Sequence, residues 1–232
     1  MHANSRSISS SQTGPHEHLR ARVARHAASH FRKPITDYNR DAFDTSMAAW
    51  QGAGGPPLIL DAGCGVGLST HHLALRFPDH FIIGVDQSAD RLARGVAWSA
   101  ATPANLLLLR ADLVDYWRLL EQAGVRLARH YVLYPNPWPK IGHLARRWHA
   151  HPVFPAVISL GGQFECRSNW SIYIEECAAA LTQLCDAPVG VEAFDCAIPI
   201  TPFEKKYRLS GHGLWRCRID LNGLVSTAVA AS

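Results

Sequence analysis

Leu58-Ile59-Leu60-Asp61-Ala62-Gly63-Cys64-Gly65-Val66-Gly67 is the stretch whose reading decides the fold. A short apolar run ending on a carboxylate reads as a buried strand, and the glycines that follow break it into a turn. Gly63 and Gly65 permit positive φ and let the backbone approach a ligand with no Cβ in the way. The helix predicted next offers free N–H groups at its start. About twenty residues on, Phe81-Ile82-Ile83-Gly84-Val85-Asp86 is a second apolar run closing on a carboxylate, where an acidic side chain can accept both hydroxyls of a ribose.

Outward from this pair the pattern alternates. Strands are predicted at 58–60, 81–85, 106–109, 131–134 and 163–166, with two more around 189–194 and 214–221. Helices are predicted from His71 to Arg76, Ala89 to Ala100, Leu113 to Ala123 and Ile172 to Leu184. Strands alternating with helices imply a doubly wound, mostly parallel α/β sheet of seven strands with helices on both faces. Upstream, residues 1–15 are Ser-rich and read as a disordered tail. Residues 16–50 read as a basic helical arm: one helix over 16–33, with Leu19, Val23, Ala27 and Phe31 on one face and Pro34 ending it, and a second over 38–50. The main domain is expected over 51–223, followed by a short tail over 224–232.

The chain has 232 residues, 47% of them hydrophobic, and a mean hydropathy near zero, the composition of a soluble globular domain. No apolar run is long enough to span a bilayer, and no apolar leader opens the sequence. The six cysteines show no paired spacing and sit in apolar runs, which fits free thiols in a cytoplasmic protein. No metal site is expected: His71 and His72 have no carboxylate or cysteine partner at ligand spacing. The net charge of +4 is a mild bias. Its distribution says more, with cations grouped in the arm, at Lys140, Arg146 and Arg147, and at Lys205, Lys206 and Arg208. Each group is either a solvated face or a phosphate contact.

The glycine turn narrows further. Its spacing is G-x-G-x-G, and Asp61 precedes it, a charge that suits an ammonium or a polarised backbone and would repel a pyrophosphate. Asp112, after the third strand, lies where an adenine amino group could be read. Asp61, Gly63, Gly65, Asp86 and Asp112 together resemble the S-adenosylmethionine site of class I methyltransferases. A dehydrogenase and a ligand-free turn are the competing readings.

The fourth strand runs into Tyr134-Pro135-Asn136-Pro137-Trp138-Pro139-Lys140, trailed by His143, Arg146 and Arg147. Proline lacks the N–H a ladder needs, so the chain leaves the sheet at Pro135 in a stiff turn. Such a loop at the carboxyl end of a strand is where open α/β sheets build sites. Trp138 is either a platform for a base or a plug packed on the sheet. His143 reads as a hydrogen-bonding scaffold, His212 as ordering its turn and Trp170 as core.

Six pieces in order, DAGCGVG at 61–67, FPDHFIIGVD at 77–86, NLLLLRAD at 105–112, YPNPWPKIGHLARR at 134–147, GGQFECRSNW at 161–170 and TPFEKKYRLSGHGLW at 201–215, resemble the bacterial tRNA (guanine-N7)-methyltransferase family. The resemblance implies a Rossmann-like class I methyltransferase fold and direct transfer of a methyl group from S-adenosylmethionine to N7 of a tRNA guanine. It places Asn136 and Glu204 at the reaction, and Trp138, Lys140, Asn169, Thr201 and Glu204 around the acceptor base. Arg146 and Arg147 fall on RNA backbone, and the protein is a monomer or homodimer. The chain also departs from the family, which carries aspartates where Asn136 and Asn169 stand. That leaves three possibilities open: N7 methylation with weaker readers, transfer to an exocyclic amine as in Asn-Pro-Pro-aromatic amino-methyltransferases, or a non-catalytic RNA-binding relative.

Overall fold

The structure, a computed structural model, describes residues 5–95 and 102–224. The element order is α1 (Leu19–Ala27), α2 (Asp37–Gly52), β1 (Leu58–Ala62), α3 (Leu68–Arg76), β2 (Phe81–Asp86), α4 (Ala89–Gly95), β3 (Leu106–Arg110), α5 (Leu113–Gln122) and β4 (Arg129–Leu133). It continues with α6 (Phe154–Ser159), β5 (Gln163–Ser168), α7 (Ser171–Cys185), β6 (Val191–Ala193), α8 (Pro202–Leu209) and β7 (Trp215–Asp220). One seven-stranded sheet runs β3-β2-β1-β4-β5-β7-β6. All pairs are parallel except those of β7, which runs antiparallel to β5 and β6.

The central strands are buried at every position because the sheet is covered twice. Leu58, Leu60 and Ala62 of β1 point into a core built with α1, α2, α5, α6 and α7, whereas Ile59 points the other way, toward Leu73 of α3 and Cys196. Ile82 and Tyr131 share that second face, while Ile83 and Val132 share the first. The period of two therefore survives as a choice between two cores. Gly84 lies opposite Asp61 in the β1–β2 register, where a Cβ would strike Thr70 and Leu108. A bare backbone there lets α3 close on the sheet.

Several expectations shift. The first helix stops at Ala27, well before Pro34, although Leu19 and Val23 are buried as expected and Ala27 and Phe31 pack beside them. The helix placed over 89–100 is described to Gly95; residues 96–100 lie outside the described residues, as do 1–4 of the tail expected over 1–15 and 225–232 of the C-terminal tail. Residues 5–15 form no helix or strand but are tied down. Ser10 Oγ donates to the Pro139 carbonyl, and Gln12 reaches Glu176. Two helices carried no expectation. In α6 four of six residues are buried, leaving no polar face to set a period. In α8 the start is written as Thr201-Pro202-Phe203-Glu204, a cap, a proline in the first turn and an early acid.

Candidate active site

β1 and β4 are neighbours, yet the chain winds away from β1 through β2 and β3 on one side and continues through β5 on the other. Their carboxyl ends form the crevice where open sheets hold ligands. The glycine bend closes one wall. Gly63, Gly65 and Gly67 all take positive φ, at 81°, 61° and 79°. A Cβ on Gly65 would meet open space, so this backbone faces outward. The Gly65 N–H donates to Asp86 Oδ2 at 2.9 Å, joining two pieces of the expected cofactor set. Asp86 also accepts from the Ser88 amide at 2.8 Å and pairs with Arg91 at 3.2 Å. Three donors leave a carboxylate with capacity for one more.

Asp61 is 1% exposed. Its Oδ2 accepts from Ser69 and Thr70 hydroxyls at 2.6 and 2.7 Å, but Oδ1 is buried without a partner. Burial pushes its carboxyl up to about 6, against the pull of the two hydroxyls and with a further push from Asp86. Asp112 caps α5, accepting from the Val114 amide at 2.9 Å, and its other oxygen lies 3.7 Å from Lys33 of the arm. It is half-exposed and open to the crevice side of that cap.

On the acceptor wall, β4 ends at Leu133, one residue before the expectation, and Tyr134 turns the chain with φ 51°. The Asn136 carbonyl oxygen accepts from the Trp138 N–H at 3.3 Å, and Trp138 itself takes φ 46°. Trp138 is no plug: Arg146 lies 4.7 Å over its ring and His143 meets its edge at 5.6 Å. Lys140 is exposed. Asn169, just past β5, donates to His212 Nδ1 at 3.1 Å, and His212 Nε2 donates to the Ser5 carbonyl at 3.0 Å.

Three expected roles are corrected. Arg147 does not reach for RNA: it is wholly buried, bridged to Glu176 at 2.6 Å, and it donates to the Gln12 side chain and the Trp138 carbonyl. Glu204 is not a free acceptor-pocket carboxylate. It is also fully buried and accepts from Tyr134 at 2.8 Å, Arg167 at 2.9 Å and the Ile200 amide at 2.8 Å. Burial alone would raise its pKa; the Ile200 amide, Arg167 and Tyr134 hold it below the ordinary carboxylate value. Thr201 is spent as the N-cap of α8, its hydroxyl accepting from the Glu204 amide at 2.9 Å. The residues sequence reasoning passed over are the partners in these bonds: Glu176, Arg167, Tyr134 and Arg91. Glu176 gathers Arg147, His149, Gln12 and the His16 amide, a set that comes together only in the fold. Among the described residues no group of His, Cys, Asp and Glu could hold a metal ion, and no helix is long and apolar enough to cross a membrane.

A sheet with one reversed strand beside its carboxyl-end crevice, and a glycine bend linked to the acid after β2, define a class I methyltransferase. A family model described as "Putative methyltransferase" matches residues 56–217, and the chain belongs to that family. Among curated relatives, the tRNA (guanine-N(7)-)-methyltransferase of Bordetella parapertussis is 30% identical over 209 residues, covering 80% of this chain and 81% of the relative. That of Sodalis glossinidius is 27% identical over 190 residues, covering 78% and 77%. A solved antibiotic-related methyltransferase shares the fold, with a TM-score of 0.53 at 14% identity over 84% of this chain and 98% of its own.

Proposed function

We propose that this enzyme transfers the methyl group of S-adenosylmethionine to N7 of a guanine in tRNA. The observation that carries the reading is the unpartnered Asp61 Oδ1, buried behind an open glycine bend. A lone buried acceptor of this kind is costly unless something donates to it. An ammonium or a backbone amide polarised by one satisfies it and returns the carboxyl to its ordinary range. Gly63 and Gly65 supply close backbone, Asp86 supplies its remaining acceptor capacity to ribose hydroxyls, and Asp112 reads an adenine amine. The cofactor brings an electrophilic methyl on a sulfonium; the chain's own contribution is placement. Guanine N7 already carries a lone pair, so no strong base is needed, and orientation and electrostatics do the rest. Asn136 presents an exposed amide to the base from a loop stiffened by Pro135, Pro137 and Pro139, and Lys140 and Arg146 remain available for phosphates. The names of the curated relatives support the tRNA acceptor.

One observation favours a second reading, transfer to an exocyclic amine. Asn136 and Asn169 are amides and Glu204 is committed internally, so this acceptor wall shows no free carboxylate to offset a cationic product. Incubating the protein with labelled cofactor and bulk tRNA, then digesting to nucleosides, separates the two. N7-methylguanosine is expected; an N-methylated exocyclic amine selects the second reading, and unlabelled RNA defeats both.

A further inference from the structure

The acceptor wall continues outward along α8 into a stack of rings that the reaction does not use. His212, bonded to Asn169, lies flat against Tyr207 with centroids 5.4 Å apart and planes 13° from parallel. Tyr207 in turn stacks on Phe203 at 6.0 Å and 25°, and its ring also meets Tyr134, the first residue of the proline loop, at 5.6 Å. The ladder is thus rooted in both acceptor loops and ends on Phe203, which is 48% exposed. A scattered exposed phenylalanine needs no explanation. This one is the free end of a rigid aromatic stack on a helix whose exposed charges are all positive. Lys205, Lys206 and Arg208 face solvent, and the helix's single acid, Glu204, is buried against Arg167. Arg208 is partly engaged with Asp195 and the Ala197 carbonyl, whereas Lys205 and Lys206 make no ion pair among the described residues.

We propose that the outer face of Phe203 stacks a base of single-stranded RNA flanking the methylated nucleotide, while Lys205 and Lys206 hold its phosphates. A flat ring between lysines suits RNA: every base has a π-face, and every nucleotide brings one negative charge. An acidic protein surface would be matched by the lysines but gives the ring stack no purpose. The proposal rests on RNA being the acceptor.

The test is steady-state methylation of tRNA, with cofactor affinity measured separately by calorimetry. F203A and F203L raise the KM for tRNA about tenfold while cofactor affinity holds, and F203W restores the wild-type KM. K205A/K206A lowers the slope of log affinity against log salt by about one, which the Phe203 variants leave unchanged. Wild-type methylation of RNA with an unaltered KM in F203A overturns the platform alone. A wild-type protein that binds cofactor but no RNA overturns the platform and the tRNA reading together. A dimer that F203A splits, with tRNA KM unchanged, makes the face a contact between copies and overturns the proposal.

Discussion

The two walls of the crevice treat buried charge in opposite ways. On the glycine wall, Asp61 keeps a buried oxygen without a donor, and its carboxyl is pushed up to about 6. On the proline wall, Glu204 and Glu176 are just as buried, yet each is surrounded by donors and held below the ordinary carboxylate value, Glu176 at about 2. In Glu176 burial works against that depression, and the hydrogen bonds and charges of His149 and Arg147 overcome it. Satisfied charges build a scaffold; an unsatisfied one marks where something else must bind. The conspicuous acids and bases of the acceptor motifs thus support the site, and the groups left to meet a substrate are the amides and rings that support presents.

The largest effect expected from this contrast separates two adjacent arginines. Arg147→Ala strips the buried Glu176 of its bidentate partner and frees the Trp138 carbonyl, and should cost about 3–5 kcal/mol of stability. Arg146→Ala, which only uncovers one face of Trp138, should change stability by no more than about 0.5 kcal/mol and act on RNA affinity instead. Urea unfolding of both variants decides it. An Arg147→Ala protein as stable as the parent would remove the scaffold reading of the proline wall.

Asp61→Asn should move stability the other way. Its folded carboxyl titrates near 6 against 3.8 for a free one, so between those values the folded state holds the extra proton. Stability is therefore fully present below about 3.8 and falls as pH rises through about 6. An amide cannot ionise and escapes that loss. The cofactor-free variant should gain about 1–3 kcal/mol over the parent at neutral pH, with the gap closing toward pH 4, while cofactor affinity falls. Thermal unfolding across that range, paired with calorimetry, gives both halves. A variant that is less stable at neutral pH would mean that the carboxylate holds Ser69 and Thr70 rather than waiting for a ligand.

How far this was legible in the sequence follows the same division. The glycine wall is local: strand, bend and acid lie within a short stretch, and Gly65 meets Asp86 as the spacing implied. The strands of the central sheet were equally plain, because burial on both faces leaves continuous apolar runs. The reversed position of β7 and the helix α6, which has no polar face, left no such trace. On the proline wall, Arg146 and Arg147 are neighbours of identical chemistry, and only the distant Glu176 separates them. Thr201 and Glu204 did carry a signal, a capping pattern, which the pull of the family motif obscured.

The smallest effect concerns the two amides, and the structure makes them unequal tests. Asn169 donates to His212 Nδ1, because the Ser5 carbonyl claims the proton on Nε2. An aspartate there would set a carboxylate against a lone pair unless the imidazole took a second proton, so Asn169→Asp disturbs the Ser5 contact along with any chemistry. Asn136 uses only its carbonyl oxygen, as acceptor for the Trp138 amide, and a carboxylate performs that task at least as well. Asn136→Asp should therefore fold as the parent does and add a negative charge beside the acceptor base. If guanine N7 is the acceptor, that charge stabilises the cation formed on transfer and should raise kcat by up to about tenfold. If an exocyclic amine is the acceptor, the exchange of amide for carboxylate removes a neutral reader and should lower it. The sign of the change in kcat, measured on the same tRNA, tells which acceptor the proline wall is built for.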